Sequence, residues 1–427
     1  MGHVMDLIDV IIIGAGHAGL SVSYYLCKND ISNIIFEKGR IGESWRSQRW
    51  DSFVINTPSC INILPESYSA AGDPDCFIPG KEYASFLTDY TNRNNLPVNE
   101  NSEVISVELV GNFFSVTVNG NNLIKQFFSR QVIIASGALS TFNLPPASKN
   151  LSNKIFQIHA ADYRNSDQLP EGRVLVVGGA QSGCQVAEDL ALSGRDVLMA
   201  SCRVARIPRR YRGKDITYWL TTTKFFDTPT DSITDPQILK AAPPQISGTG
   251  KMGHTVSYQY LKSFGVRIFG HLNFVDNNKI FLGADSKANV KFADESSQMI
   301  KSFIDDFIAK SGIVSILHNE HDPADIPDTE CLCAEDISLI HCDEEKITSV
   351  IWCTGFSGDF SYIRIPAVIQ NGLPVHHNGI SPVKGLYFLG FPWLRTRKSG
   401  VIYGISEDAE VIANEVAANI KTSIQRV

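Results

Sequence analysis

The amino-acid sequence predicts an α/β fold with two Rossmann-like dinucleotide-binding domains, the second inserted in the first, and three observations carry that reading. Ile11-Ile12-Ile13-Gly14-Ala15-Gly16-His17-Ala18-Gly19 is an apolar run that breaks into G-x-G-x-x-G and passes into the helical pattern of Ser21 to Cys27. Arg173-Val174-Leu175-Val176-Val177-Gly178-Gly179-Ala180-Gln181-Ser182-Gly183 repeats the order of strand, loop and helix. Beyond it, Lys346 to Cys353 and Gly385 to Gly390 read as buried strands that carry the chain back to the first domain. The expected layout is residues 1–145 and 346–427 as the two parts of the first domain. Residues 146–345 form the second, with an insertion at about 211–251.

In the first signature Gly14 permits the tight turn, Gly16 lets a pyrophosphate approach the backbone, and Gly19 allows the helix to pack closely on the strand. The next strand, Ile34-Ile35-Phe36, ends in Glu37, at about the 20-residue offset expected of the acid that holds an adenosine ribose. From Gly42 to Pro58 aromatics, arginines and a polar Asn-Thr-Pro turn alternate. If the loop holds a flavin dinucleotide, this segment could supply a wall for its ring (Trp45) and a polar group beside it (Asn56). A surface loop with buried aromatics would look the same.

Val104 to Val110, Phe113 to Val118 and Leu123 to Phe128 read as three short strands, with Asn119-Gly120 as a hairpin signal. Gln131 to Ala135 returns as a continuously apolar strand, stopping at Gly137. Leu144-Pro145-Pro146 is a linker. In the second signature Ala180 replaces the middle glycine, which would hold a pyrophosphate slightly away. The strand that follows ends in Ser201-Cys202-Arg203 instead of an acid. With Arg203, Arg206, Arg209 and Arg210 in line, a 2′-phosphate is the better guest and NADPH is favoured over NADH, the alternative being a solvated basic face. Residues 211–251 are aperiodic and carry Tyr218, Trp219, Phe225 and Phe226, either as a cover over the substrate or as anchors of the loop. A helix is expected near Thr255 to Phe264 and a strand at Val266 to Phe269. Met299, Ile300, Phe303, Ile304, Phe307 and Ile308 form an apolar stripe expected in the core. A closing helix begins near Ser406.

A chain of 427 residues exceeds what one hydrophobic core usually supports. With 43% hydrophobic and 19% charged residues it is globular, and a net charge of −7 argues against general nucleic-acid binding. No apolar run approaches the roughly 18 residues of a membrane span, and no signal-peptide pattern precedes the first strand, so a cytoplasmic protein without membrane partners is expected. Nine scattered cysteines suit a reducing compartment. Cys331, Cys333, His341 and Cys342 match no zinc spacing, and no metal is expected. Nothing in the sequence sets an oligomeric state.

The two glycine loops, Gly42 to Trp45 with Trp50-Asp51 and Asn56-Thr57-Pro58, His159 with Tyr163, and the Cys353-Thr354-Gly355-Phe356 stop resemble the class B flavin-dependent monooxygenases. The stretch around Trp45 to Pro58 is most similar to the plant YUCCA-type members and their bacterial relatives. The resemblance implies FAD on Gly14, Gly16, Gly19 and Glu37, and NADPH on Gly178, Ala180, Ser182 and Gly183. It implies a flavin C4a-hydroperoxide that oxygenates a small-molecule substrate with O₂, at nitrogen or sulfur or by attack on a 2-oxo acid, with Asn56 as the catalytic polar group. Further cofactor contacts are expected of His17, Ala18, Trp45, Val104, Gly137, Gln181, Ser201, Arg203 and Gly390. Leu151-Ser152-Asn153 upstream of His159, Tyr163 in place of Trp, and the missing Tyr-Pro-Gly after Trp45 lower the Baeyer–Villiger reading without excluding it, and it stays an alternative. A reductase that passes electrons on without inserting oxygen stays open. Disulfide reductases are disfavoured, because no Cys-x-x-Cys lies near either loop.

Overall fold

The computed structural model describes residues 7–68, 72–121, 123–313 and 322–424. Its first sheet runs, in spatial order, Val98–Asn99, Asn33–Phe36, Leu7–Ile13, Leu123–Ile134, Phe113–Gly120 and Ser102–Val110, with Leu386–Phe388 also paired to Leu123–Ile134. Leu7–Ile13 lies parallel to Asn33–Phe36 and to Leu123–Ile134, and Leu386–Phe388 is parallel to the latter. Buried strands of Val and Ile therefore end together at one edge, at Gly14, Glu37, Ala135 and Leu389. Ligands of open α/β sheets bind at this carboxyl edge.

Leu123–Ile134 is one strand of 12 residues rather than two. Its exposed first half pairs antiparallel in the meander, and its buried second half enters the parallel sheet, so the change of burial midway looked like a break. The Gly80–Arg93 helix covers this domain with Tyr83, Leu87 and Tyr90, an i, i+4, i+7 face.

The second sheet runs Arg267–Phe269, Val197–Ala200, Arg173–Val177, Ile347–Trp352 and Phe156–His159, all parallel. Ile347–Trp352 thus belongs to the second domain, not to the return into the first as the boundary at 346 expects. Its apolar pattern marks burial on both faces, and that says nothing about which sheet it enters. The crossing follows it: Phe356–Ser357 pairs antiparallel with Thr141–Phe142, so outgoing and returning chains run side by side.

A small antiparallel sheet of Leu272–Asp276, Lys279–Leu282 and Leu339–His341 covers Leu175, Val350 and Trp352. The Ser286–Ser311 helix is longer than its apolar stripe suggests. Ile300 and Ile304 are buried, but Met299 is 71% and Phe303 41% exposed, because the stripe spans a wider arc than the contact surface. In the insertion, Ile216–Thr222 is a helix whose Trp219 is buried against Ile300 and Ile304 and donates from Nε1 to the Tyr211 carbonyl at 2.7 Å. Trp219 is an anchor, whereas Tyr218 is exposed. Among the described residues no helix is long and apolar enough to cross a membrane.

Candidate functional site

Both glycine loops have the same backbone. Gly14 and Gly178 sit at φ +105° and +117°, which side chains other than hydrogen rarely adopt. A Cβ at Gly14 would lie 2.5 Å from the Ala135 carbonyl oxygen, and one at Gly178 would run into the Cys353 carbonyl. Gly19 and Gly183 would each drive a Cβ into the carbonyl oxygen of Gly14 and Gly178 respectively. Gly16 caps the His17–Lys28 helix at φ −81°, ψ −177°, and Ala180 caps the Gln181–Leu192 helix at φ −78°, ψ −173°. A Cβ at Gly16 would meet nothing within 4 Å. Open space thus stands before that helix N-terminus, where backbone N–H groups and the helix dipole favour an anion.

Around the first loop, Glu37 accepts from the Ala15 N–H (Oε2, 2.8 Å) and the Gly39 N–H (Oε1, 2.8 Å), while burial pushes its pKa up. The Ser102 N–H donates to the Glu37 carbonyl at 2.8 Å, which brings the strand carrying the buried Val104 alongside. His17 Nε2 is buried with no hydrogen-bond partner among the described residues, and burial lowers its pKa to about 4, so the ring is neutral at physiological pH. Gly390 closes on Ala18: a Cβ there would sit 2.6 Å from that of Ala18. Gly137, at φ +79°, faces open space.

The Gly42 N–H donates to the Ala15 carbonyl at 3.1 Å, so the Glu43–Ser47 helix springs directly from the loop. On it, half-buried Trp45 meets Tyr83 edge-on at 5.4 Å. The Arg49 guanidinium lies 5.2 Å from the rings of Trp45 and Phe53 and donates to the Gln48 carbonyl. Burial pulls its pKa down to about 10, and among the described residues no carboxylate pairs with it. Gln48 Oε1, Trp50 Nε1 and Tyr83 Oη are buried nearby without hydrogen-bond partners among the described residues. A native protein leaves few such groups unsatisfied, so this cradle fits a polar, anionic occupant.

Asn56 lies at the seam between the domains. Its Oδ1 accepts from Gln185 Nε2 at 3.1 Å and its carbonyl from Arg209 Nη1 at 2.8 Å. In the same seam His159 stacks on Phe142 at 4.8 Å, and Tyr163 donates to Asp189 at 2.6 Å.

Around the second loop, Gln181 Oε1 accepts from the Ile246 N–H at 2.8 Å, and its Nε2 donates to the Ser247 carbonyl. Gln245 donates to the Gly179 carbonyl at 2.5 Å. Ser182 is half-buried in the first helical turn. The buried Ser201 hydroxyl is engaged within the protein: it donates to the Phe269 carbonyl at 2.5 Å and accepts from Asn289 at 3.1 Å.

The run of arginines does not form one basic cluster. Arg206 is fully buried between Asp294 and Asp325, and Arg209 is fully buried against Asp215. Arg210 donates to the Met252 carbonyl at 3.0 Å. Arg203 alone of the four is exposed, its guanidinium 4.2 Å from the Phe292 ring with no ion pair among the described residues. Sequence reasoning missed the fully buried Glu188, which accepts from the Thr249 N–H at 2.7 Å and pairs with His254. Those partners lie more than 60 residues away, and no local pattern announces them.

Burial pushes the Cys202 thiol up, that of Cys353 to about 12, and that of Cys184 well above its ordinary value. Among the described residues no group of three or more His, Cys, Asp or Glu side chains is placed to hold a metal ion.

Residues 11–232 match the family model of the pyridine nucleotide-disulphide oxidoreductases. An uncharacterized CzcO-like oxidoreductase of Geobacillus kaustophilus is 31% identical over 96% of this chain and 98% of its own. The probable indole-3-pyruvate monooxygenase YUCCA1 of Arabidopsis thaliana is 27% identical over 44% of this chain and 45% of its own. In structure, a flavin-containing monooxygenase from Stenotrophomonas maltophilia is similar with a TM-score of 0.65 at 19% identity, over 97% of this chain and 100% of that one.

Proposed function

Because the chain belongs to the pyridine nucleotide-disulphide oxidoreductase family, we propose that it is an FAD- and NADPH-dependent monooxygenase of the class B type, acting on a small organic substrate with O₂. The observation that carries the reading is the repeated loop: two strand–glycine–helix corners of one backbone, at the carboxyl edges of two sheets joined through a seam. The partial likeness to a YUCCA monooxygenase supports the same class of chemistry.

In this reading the open Gly16 cap takes the FAD pyrophosphate, Glu37 the ribose, and Trp45 the ring. His17, Ala18, Val104, Gly137 and Gly390 shape the cradle, and Arg49 supplies the counter-charge that the anionic cofactor requires. NADPH lies on Gly178, Ala180, Gln181, Ser182 and Gly183, with Arg203 at its 2′-phosphate. When bound, FAD would supply the redox and oxygen-activating chemistry, which the protein orients and shields from water. Asn56 lies in the seam through which the two nucleotides meet, where its side chain holds a neutral hydrogen-bonding group.

The substrate is oxygenated at nitrogen or sulfur, or attacked as a 2-oxo acid. Raised thiol pKa values beside the second loop disfavour a disulfide reductase, which needs a thiolate. Nine unpaired cysteines suit a cytoplasmic setting. The test is to reduce the flavin anaerobically with NADPH and mix it with oxygenated buffer. A transient spectrum distinct from both reduced and oxidised flavin is expected; direct return to oxidised flavin would indicate a reductase instead.

A further inference from the structure

The chain from Gly390 to Ile405 leaves the carboxyl edge of the first sheet and returns at the start of the Ile405–Ile424 helix, so it borders the dinucleotide crevice. Part of it is stitched to the insertion of the second domain. The Arg397 N–H donates to the Thr228 carbonyl at 3.0 Å, the Lys398 N–H to that of Phe226 at 3.1 Å, and the Thr230 N–H to that of Arg395 at 2.9 Å. The Thr230 hydroxyl donates to the Trp393 carbonyl at 2.9 Å.

This stretch carries three cations, and they are treated differently. Arg395 pairs with Asp408 at 3.2 Å, and Lys398 pairs with Asp227 at 2.7 Å and with Glu407 at 2.6 Å. Arg397 pairs with no carboxylate among the described residues. Its guanidinium lies 4.3 Å from the Phe225 ring and 4.7 Å from the Trp393 ring, and its Nε is buried without a hydrogen-bond partner among the described residues. Trp393 reaches that place from a left-handed backbone, φ +57°, which a tryptophan rarely adopts. Burial pulls the guanidinium pKa down, with no neighbouring charge acting to restore it.

Aromatic rings beside a guanidinium offer its planar fork of N–H groups no charged acceptor. That geometry suits the two oxygens of a carboxylate, and a half-buried cation without a partner costs free energy until an anion arrives. We infer that Arg397 binds the substrate, gripping its carboxylate bidentately, so that the substrate is a small organic acid. This rests on the reading of the chain as an FAD- and NADPH-dependent oxygenase. It narrows the substrate class without choosing among nitrogen, sulfur and 2-oxo carbon as the atom oxidised.

The experiment uses the FAD-loaded protein and follows the visible flavin spectrum during titration with phenylacetate and, separately, phenylacetamide. Wild type is expected to bind phenylacetate roughly tenfold or more tightly than the amide, as a charge-assisted bidentate contact allows. Arg397→Met should bring the two ligands to similar affinity. Arg397→Lys, which keeps the charge but not the fork, should keep part of the preference. Equal binding of both ligands by wild type, no response to phenylacetate, or an unchanged preference in Arg397→Met would overturn the assignment. So would an Arg397→Met protein that keeps the preference but needs more NADPH for reduction, since the fork would then serve nucleotide phosphate. Reduction of the wild-type flavin by NADPH is recorded in parallel; if it fails, the reading of the chain as an oxygenase fails, independently of Arg397.

Discussion

The two glycine loops share φ, ψ and close contacts, yet they present opposite surroundings. Before Gly16 there is open space, the neighbouring His17 Nε2 is buried without a hydrogen-bond partner among the described residues, and Arg49, on the segment that leaves the loop, has no carboxylate partner among them. At the matching place in the second loop Ala180 carries a methyl, while Gly179 and Gln181 are bound by residues 245–247 of the insertion. The backbone makes an anion-binding corner in both cases; what lies opposite decides the occupant. A cradle with unmet polar groups suits a resident cofactor, and one whose loop is already engaged by protein suits a nucleotide that comes and goes.

The sharpest way to break this comparison is a pair of identical substitutions three residues apart. Gly19→Ala puts a methyl into the Gly14 carbonyl and should cost about 3 kcal/mol or more, read as loss of soluble, thermally cooperative protein. Gly16→Ala should leave the melting temperature of the apoprotein unchanged, because its methyl meets no protein atom, yet weaken FAD roughly tenfold by blocking close approach. Equal damage from both would remove the distinction between packing glycine and ligand glycine.

Arg49→Met should weaken FAD on the order of tenfold while stabilising the apoprotein, since it removes a buried cation that has no partner until the cofactor binds. Fluorescence titration and a melting curve read the two effects, and a fall in both would make Arg49 merely structural. On the second loop, Arg203→Ala should raise KM for NADPH by roughly tenfold and leave that for NADH alone, as expected for loss of a 2′-phosphate contact. Asn56→Asp should increase the share of reducing equivalents lost as H₂O₂, because a charge enters the seam; unchanged coupling would remove Asn56 from the chemistry.

The smallest effect concerns His17. Its folded pKa lies near 4, below the unfolded value of 6.5. The unfolded chain therefore binds the proton first. Apoprotein stability should fall as pH drops from 6.5 towards 4, by at most a few kcal/mol, and level off below. A His17→Gln protein should show a flatter acid limb in the same melting series.

The positions of both loops were legible in the sequence because a tight turn and a close helix–strand contact are local demands on Gly14, Gly19, Gly178 and Gly183. Glu37 was legible for the same reason, as the residue ending the neighbouring strand. Strand pairing was not: Ile347–Trp352 is apolar throughout, and only its register with Arg173–Val177 places it in the second sheet. Nor was the fate of the arginines, since Arg206 meets carboxylates 88 and 119 residues away. Charges adjacent in sequence read as one basic patch, whereas in the fold Arg206 and Arg209 enter separate buried pairs and Arg203 stays exposed. Arg397 had the opposite outcome: it stands two residues from Arg395 and next to Lys398, and of the three it is the one with no carboxylate partner among the described residues.

The central claim, that the two loops hold FAD and NADPH for one reaction, is tested most directly by anaerobic mixing of the purified, FAD-reconstituted protein with NADPH and with NADH. The account predicts one FAD per chain, bleached by NADPH at a rate well above that with NADH. A protein that binds no flavin, or whose bound flavin neither nucleotide reduces, would contradict it.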